Sequence, residues 1–202
     1  MTPFGSGAPR TKGAALQSTL TFLRGQFGEA VAQQVLAGLS AEDREALTAL
    51  TPTDEVPYAM MVRVWNAADA VMRMREDGAD WAERAGEASI GGYGVQLYGG
   101  ILRKPTPLEV LTQSISLFRL YYQPGDMLVV ENTQGRAVLR LVGFDPLTTI
   151  FCRRLTGGLR EAVALAGGEQ ARVRHVRCCI EGDAFCEWEL QWTTDAALAP
   201  GA

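Results

Sequence analysis

Residues Arg174–Trp192 read RHVRCCIEGDAFCEWELQW. The stretch holds three of the chain's four cysteines and its only histidine. Two runs with strand composition, Ala171–Ile180 and Ala184–Trp192, flank Glu181-Gly182-Asp183, and a three-residue loop containing glycine is a common hairpin connection. With Ile180 opposite Ala184, Cys178 faces Cys186, Val176 faces Trp188 and Arg174 faces Leu190. Side chains alternate along a strand, so Val176, Cys178, Ile180, Cys186, Trp188 and Leu190 share one apolar face. The other face pairs Arg177 with Glu187 and His175 with Glu189, mildly stabilising cross-strand partners. On this register the cysteines are buried and the charged face is solvated.

The same residues support a second arrangement. Cys152-x22-His175-x2-Cys178-x7-Cys186 offers three thiolates and one imidazole, a closed tetrahedral set for structural zinc. Strict alternation turns His175 and Cys178 to opposite faces, so this arrangement requires a β-bulge between them. The adjacent Cys178 and Cys179 give room for such a slip, with either thiol available as ligand.

The order cysteine, short spacer, Gly-Asp, short spacer, cysteine, then apolar residues alternating with tryptophan resembles the 4-vinyl reductase domain. The likeness is carried by about the last thirty residues; the helical remainder is similar in general layout. It implies a fold shared with TRAPP-type trafficking subunits and distantly related to haem-type nitric-oxide sensors. It further implies an apolar ligand pocket between helices and sheet. In the aromatic-responsive sensors of this kind a zinc is held by three Cys and one Glu. The resemblance then gives the thiolate positions to Cys152, Cys178 and Cys186, with His175 in place of the glutamate. The whole chain also resembles proteins of about this length in myxobacteria.

The outer limits come from composition. At 202 residues the chain suits one domain able to bury a real core. A net charge of −4 without a basic stripe speaks against nucleic acid. No basic segment followed by an apolar run marks a signal peptide, and no apolar run is long enough to span a membrane. Four late cysteines, two of them adjacent, do not form a secreted disulfide framework, so a reducing cytoplasm is expected.

Residues 1–12 read as a flexible tail, 13–192 as one ligand-binding-type domain and 193–202 as a second tail. Within the domain, 13–104 are mainly helical and 105–192 read helix–hairpin–helix–hairpin. Apolar residues at helical spacing (Leu16, Leu20, Leu23, Phe27, Val31, Val35; then Met61, Trp65, Ala68, Met72) predict an N-terminal helical layer. Gly25 and Gly28 interrupt the first stripe, and Ser40 with Asp43 resembles a capping box. Trp81 to Leu102 predicts one helix with five glycines between Gly91 and Gly100. No strand precedes them and no Gly-Lys-Ser/Thr follows, so close packing is expected rather than phosphate binding. Thr106 caps a helix to about Tyr121, apolar nearly all round and hence expected at the centre beneath the sheet. Met127–Glu131 and Arg136–Phe144 predict a hairpin, and Ile150 to Ala166 the last helix, with Cys152 in its first turn. The fold class is α+β: a four-stranded antiparallel sheet covered on one face by helices.

Catalytic parts are missing. Nothing informative is spaced around the single histidine, Glu161, Glu181 and Glu187 read as solvated, and no dinucleotide fingerprint is present. The chain therefore reads as a non-enzymatic sensory module for a small apolar or aromatic ligand. The pocket is expected among Trp65, Tyr93, Leu97, Phe118, Tyr122 and Phe144. A homodimer is the expected assembly. The alternative is a TRAPP-like interaction or scaffold protein acting through homo- or hetero-assembly.

Overall fold

The computed structural model describes residues 8–194, apart from the side chains of residues 93–95, 97, 98, 101, 114 and 115. The chain runs β1 (Arg10–Lys12), α1 (Gly13–Phe27), α2 (Glu29–Ala37), α3 (Ala41–Ala49), β2 (Glu55–Pro57), α4 (Tyr58–Met72) and α5 (Trp81–Ala88). A π-helical turn (Ser89–Gly94) leads into α6 (Val95–Leu102), α7 (Pro107–Tyr121), β3 (Tyr122–Gln123), β4 (Asp126–Thr133) and β5 (Arg136–Val142). The chain closes with α8 (Thr149–Leu165), β6 (Glu169–Arg177) and β7 (Cys186–Thr193).

The two hairpins lie side by side in one antiparallel sheet of order β4-β5-β7-β6, the α+β architecture expected. A second sheet, β2-β1-β3, has strands of two or three residues. It includes Arg10–Lys12, which sequence placed in a tail; strands this short have no alternation to read.

Local signals account for several helix ends. Gly28, at φ +90°, separates α1 from α2. The hydroxyls of Ser40, Thr106 and Thr148 accept from the backbone N–H groups of Asp43, Glu109 and Ile150 and so cap α3, α7 and α8. The predicted stripes are the core of the N-terminal layer: Leu16, Leu23, Val35, Met61, Trp65, Ala68 and Met72 are all buried.

Asp43 is the notable buried acid of this layer. Arg63 grips it with both guanidinium nitrogens, Nε to Oδ2 at 2.7 Å and Nη2 to Oδ1 at 2.6 Å. That hydrogen bonding holds the Asp43 carboxyl below its ordinary value despite burial. A depressed folded pKa contributes stability above the unfolded value of about 3.9 and loses it as pH falls through the folded value. Asp43→Asn is therefore expected to cost about 1 kcal/mol at pH 7, the size being limited by the half-exposed Arg63. The gap should narrow toward pH 3 in urea titrations. A gap independent of pH would refute the assignment.

The central helix is α8, not α7 as the sequence suggests. It buries Ile150, Phe151, Cys152, Arg154, Thr156 and Leu159 among others, lying between α5 and the β6–β7 side of the sheet. Helix α7 sits beside β4 and leaves Ser116, Arg119 and Leu120 exposed. Within the expected stretch Gly91 packs closely, a Cβ there coming within 2.4 Å of Glu161 Oε1, but the tightest backbone contacts lie upstream. A Cβ on Gly86 of α5 would come within 1.9 Å of the Arg154 carbonyl oxygen. One on Gly157 of α8 would come within 2.0 Å of the Glu83 carbonyl oxygen. Helices α5 and α8 thus touch backbone to backbone. Gly92 and Gly100 face open space.

Candidate functional site

The final hairpin departs from strict alternation at two places, between Glu169 and Arg172 near its open end and between His175 and Arg177 beside the cysteines. His175 pairs with Trp188 and Arg177 with Glu187, with a register shift between them. Val176 is the extra residue and is 39% exposed, so the expected pairing of Val176 with Trp188 is replaced. The bulge rotates His175 toward the core, where its ring stacks on Trp188 at 4.5 Å between centroids. The strand ends at Arg177, and Cys178 begins a turn closed by Gly182 at φ +106°. Asp183 holds that turn by accepting the Cys178 N–H at 2.8 Å. Glu187, expected in solvent, is buried and bound by Arg140 at 2.6 Å.

The consequence is a cluster. One ligand atom each from Cys152, His175, Cys178 and Cys186 lies within 4.8 Å of every other. Cys152 Sγ and Cys186 Sγ are 3.9 Å apart, close to the roughly 3.8 Å edge that zinc–sulfur bonds of about 2.3 Å give in a tetrahedron. Buried His175 Nε2 has no hydrogen-bond partner. The backbone N–H groups of Glu181 and Ile180 point to the Cys178 sulfur, and that of Cys179 donates to Cys186 Sγ at 3.4 Å. Hydrogen bonds, the largest from Cys152, bring Cys186 down to about 4, while that same bond and burial push Cys152 up. Second contacts tie it to the fold: Trp188 Nε1 donates to Thr156 Oγ1, which donates to the Cys152 carbonyl. The donor chemistry and spacing could hold a metal ion, with Cys178 rather than Cys179 in the set.

A cavity of about 160 Å³ lies on the other side of α8. Its walls include Trp65, Phe118, Tyr122, Met127, Phe151 and Leu159. Burial pushes the Tyr122 hydroxyl up to about 12, so it stays neutral. The polar end is formed by Ser18, Ser89 and Arg154. Of the predicted pocket residues, Trp65, Phe118 and Tyr122 line this cavity. Phe144 instead stacks behind it, 4.9 Å from Tyr58. The side chains of Tyr93 and Leu97 lie outside the described residues. Sequence reasoning missed Phe151, Met127 and, above all, Arg154.

No protein-family profile matches the chain, and no curated protein matches it. Solved structures do. An Fe(II) unliganded H-NOX protein from K. algicida superposes with a TM-score of 0.70 at 13% identity, covering 92% of this chain and 98% of that one. An H-NOX protein from S. oneidensis in the Fe(II) ligation state gives 0.70 at 15%, covering 94% and 100%. The fold is that of the H-NOX proteins. A third H-NOX structure, from work probing heme distortion, gives 0.66 at 11%, covering 95% and 100%.

The residues of this chain do not fit the haem of those H-NOX structures. Its only histidine stands among the thiols of the hairpin, and none of its four cysteines lines the cavity. Histidine and cysteine, two of the usual haem axial ligands, are thus absent from the cavity, whose lining among the described residues offers only Met127, Tyr121 and Tyr122 of the ligand types known for haem. At about 160 Å³ the space matches an engineered cavity of about 150 Å³ that accepts benzene. A porphyrin is several such rings. Among the described residues, no helix is long and apolar enough to cross a membrane.

Proposed function

We propose that the chain is a non-enzymatic sensory module that takes a small apolar or aromatic molecule into the cavity beside α8 and carries one structural zinc at the hairpin. The observation that carries the reading is the apolar cavity itself, walled by aromatic and aliphatic side chains of eight elements. Its place in an H-NOX-type fold supports a ligand-binding role, and the 4-vinyl reductase likeness of the hairpin supports an aromatic one. The converging Cys152, His175, Cys178 and Cys186 support the zinc. Four protein ligands leave no position for water, so that metal would be structural.

Benzene and toluene titrated into the protein are expected to bind with micromolar to millimolar Kd, since affinity is capped at ~1.5 kcal/mol per heavy atom. Ala15→Leu, which fills the cavity from α1, should abolish that binding. Calorimetry showing no uptake by the wild-type protein would end the ligand half of the proposal.

A second reading, an interaction protein acting through homo- or hetero-assembly, has one observation in its favour. Leu128 and Val130 are 43% and 49% exposed on the edge strand β4. Light scattering over a concentration series separates it from a monomeric sensor.

A further inference from the structure

Arg154 is out of place in an apolar cavity wall. It projects from α8 and is only 8% exposed. Nη2 donates to Ser89 Oγ at 3.0 Å, and the guanidinium lies 5.2 Å from the centre of the Trp65 ring. Nη1 is buried with no partner. Among the described residues no carboxylate pairs with it, whereas the other inward arginines, Arg63, Arg140 and Arg160, each meet one or two. The titratable groups that face it are the Tyr122 and Tyr58 hydroxyls, both held neutral by burial. Burial lowers Arg154 itself to about 10, so it remains a cation at neutral pH. A buried unpaired charge carries a large penalty, and folded proteins normally supply a counter-ion.

The neighbouring hydroxyls do not supply it. Ser18 Oγ donates to the Ala15 carbonyl and Ser89 Oγ to the Ala85 carbonyl. Each hydroxyl has a carbonyl acceptor within reach and the two lie 3.2 Å from each other, which leaves the guanidinium as the one charged donor at this end. A phosphate dianion would need more donors than that. One charge and one free nitrogen suit a monoanion. The remaining walls and the volume suit a single ring or a short branched chain.

We propose that the cavity binds a small monocarboxylate with an apolar body, its carboxylate on Arg154 and its ring or branched chain against Trp65, Phe118 and Phe151. The proposal rests on the ligand-binding reading above and adds the charge of the ligand. A neutral guest would leave the cation unpaired; a carboxylate completes it with a charge-assisted hydrogen bond.

The test compares charged and neutral guests of one shape. Benzoate, its neutral isostere nitrobenzene, and isovalerate are titrated by calorimetry into the full chain and into Arg154→Met. The wild-type protein should prefer benzoate over nitrobenzene by roughly 10- to 100-fold, the size of a charge-assisted hydrogen bond. Arg154→Met should reverse that order. The wild-type comparison stands by itself if the variant fails to fold. Equal or weaker binding of both carboxylates relative to nitrobenzene overturns the carboxylate assignment and leaves the cavity reading intact. No binding of any guest, benzene included, overturns both.

Discussion

Cys178→Ser is expected to release one equivalent of zinc and to lower the melting temperature by roughly 10 °C. The figure follows from linkage: a metal at a thousand times its Kd adds about 4 kcal/mol, and a domain of this size shifts by about 2–4 °C per kcal/mol. The geometry explains why one thiol matters so much. Cys178 sits where the strand ends and the chain turns, so its sulfur would be the only ligand anchoring that turn to α8 through the metal. Loss of it leaves buried His175 Nε2 and the Cys152–Cys186 pair without a common partner. Cys179→Ser is the control. Its sulfur lies 3.3 Å from Cys186 but outside the converging set, so that variant should keep its zinc. Metal analysis and calorimetry on the three proteins decide the matter. A wild-type protein without zinc, or a Cys178→Ser variant with unchanged melting and metal content, rules the site out.

Gly86→Ala is expected to destabilise by about 3 kcal/mol or more, among the largest effects of any one-methyl change in the chain. The added carbon would fall 1.9 Å from a main-chain oxygen, so no side-chain rotation can relieve it. Helices α5 and α8 would have to separate, and α8 carries both the cavity wall and Cys152. Gly157→Ala meets the reciprocal contact at 2.0 Å and should behave alike. Gly25→Ala, with nothing within 4 Å, should instead gain up to about 1 kcal/mol from helix propensity. Denaturant titration of the three variants checks the contrast, and equal behaviour of Gly86→Ala and Gly25→Ala would show that the helices do not touch as described.

What could be read in the sequence depended on period and on caps. The apolar stripes of α1, α2 and α4 and the polar caps of α3 and α7 are local signals, and local signals survive folding. The four residues of the cluster were also legible, because cysteine and histidine are few and their spacing is distinctive. Their register was not, since a bulge at Val176 breaks a period of two without leaving a mark in composition. Arg154 was hidden for a different reason. In Cys152-Arg153-Arg154-Leu155 it reads as helix surface, yet it lies three residues after Phe151 and four before Gly158, on the buried stripe. A charged residue on an apolar stripe was the available signal. The roles of α7 and α8 were exchanged because α7 has more large apolar side chains, while α8 buries two glycines, a threonine and an arginine that hydropathy counts as outward.

Helix α8 presents Cys152 to the hairpin and, two residues later, Arg154 to the cavity. Two sites fixed to one rigid rod share its free energy. Thermodynamic reciprocity requires that any factor by which zinc tightens the guest is the factor by which the guest tightens zinc. On the proposed reading, and with positive coupling, withdrawing metal from the hairpin would loosen the guest, and an excess of guest would hold the metal longer. On that reading, oxidation of the thiols would reach the cavity by the same turn of helix, from Cys152 to Arg154.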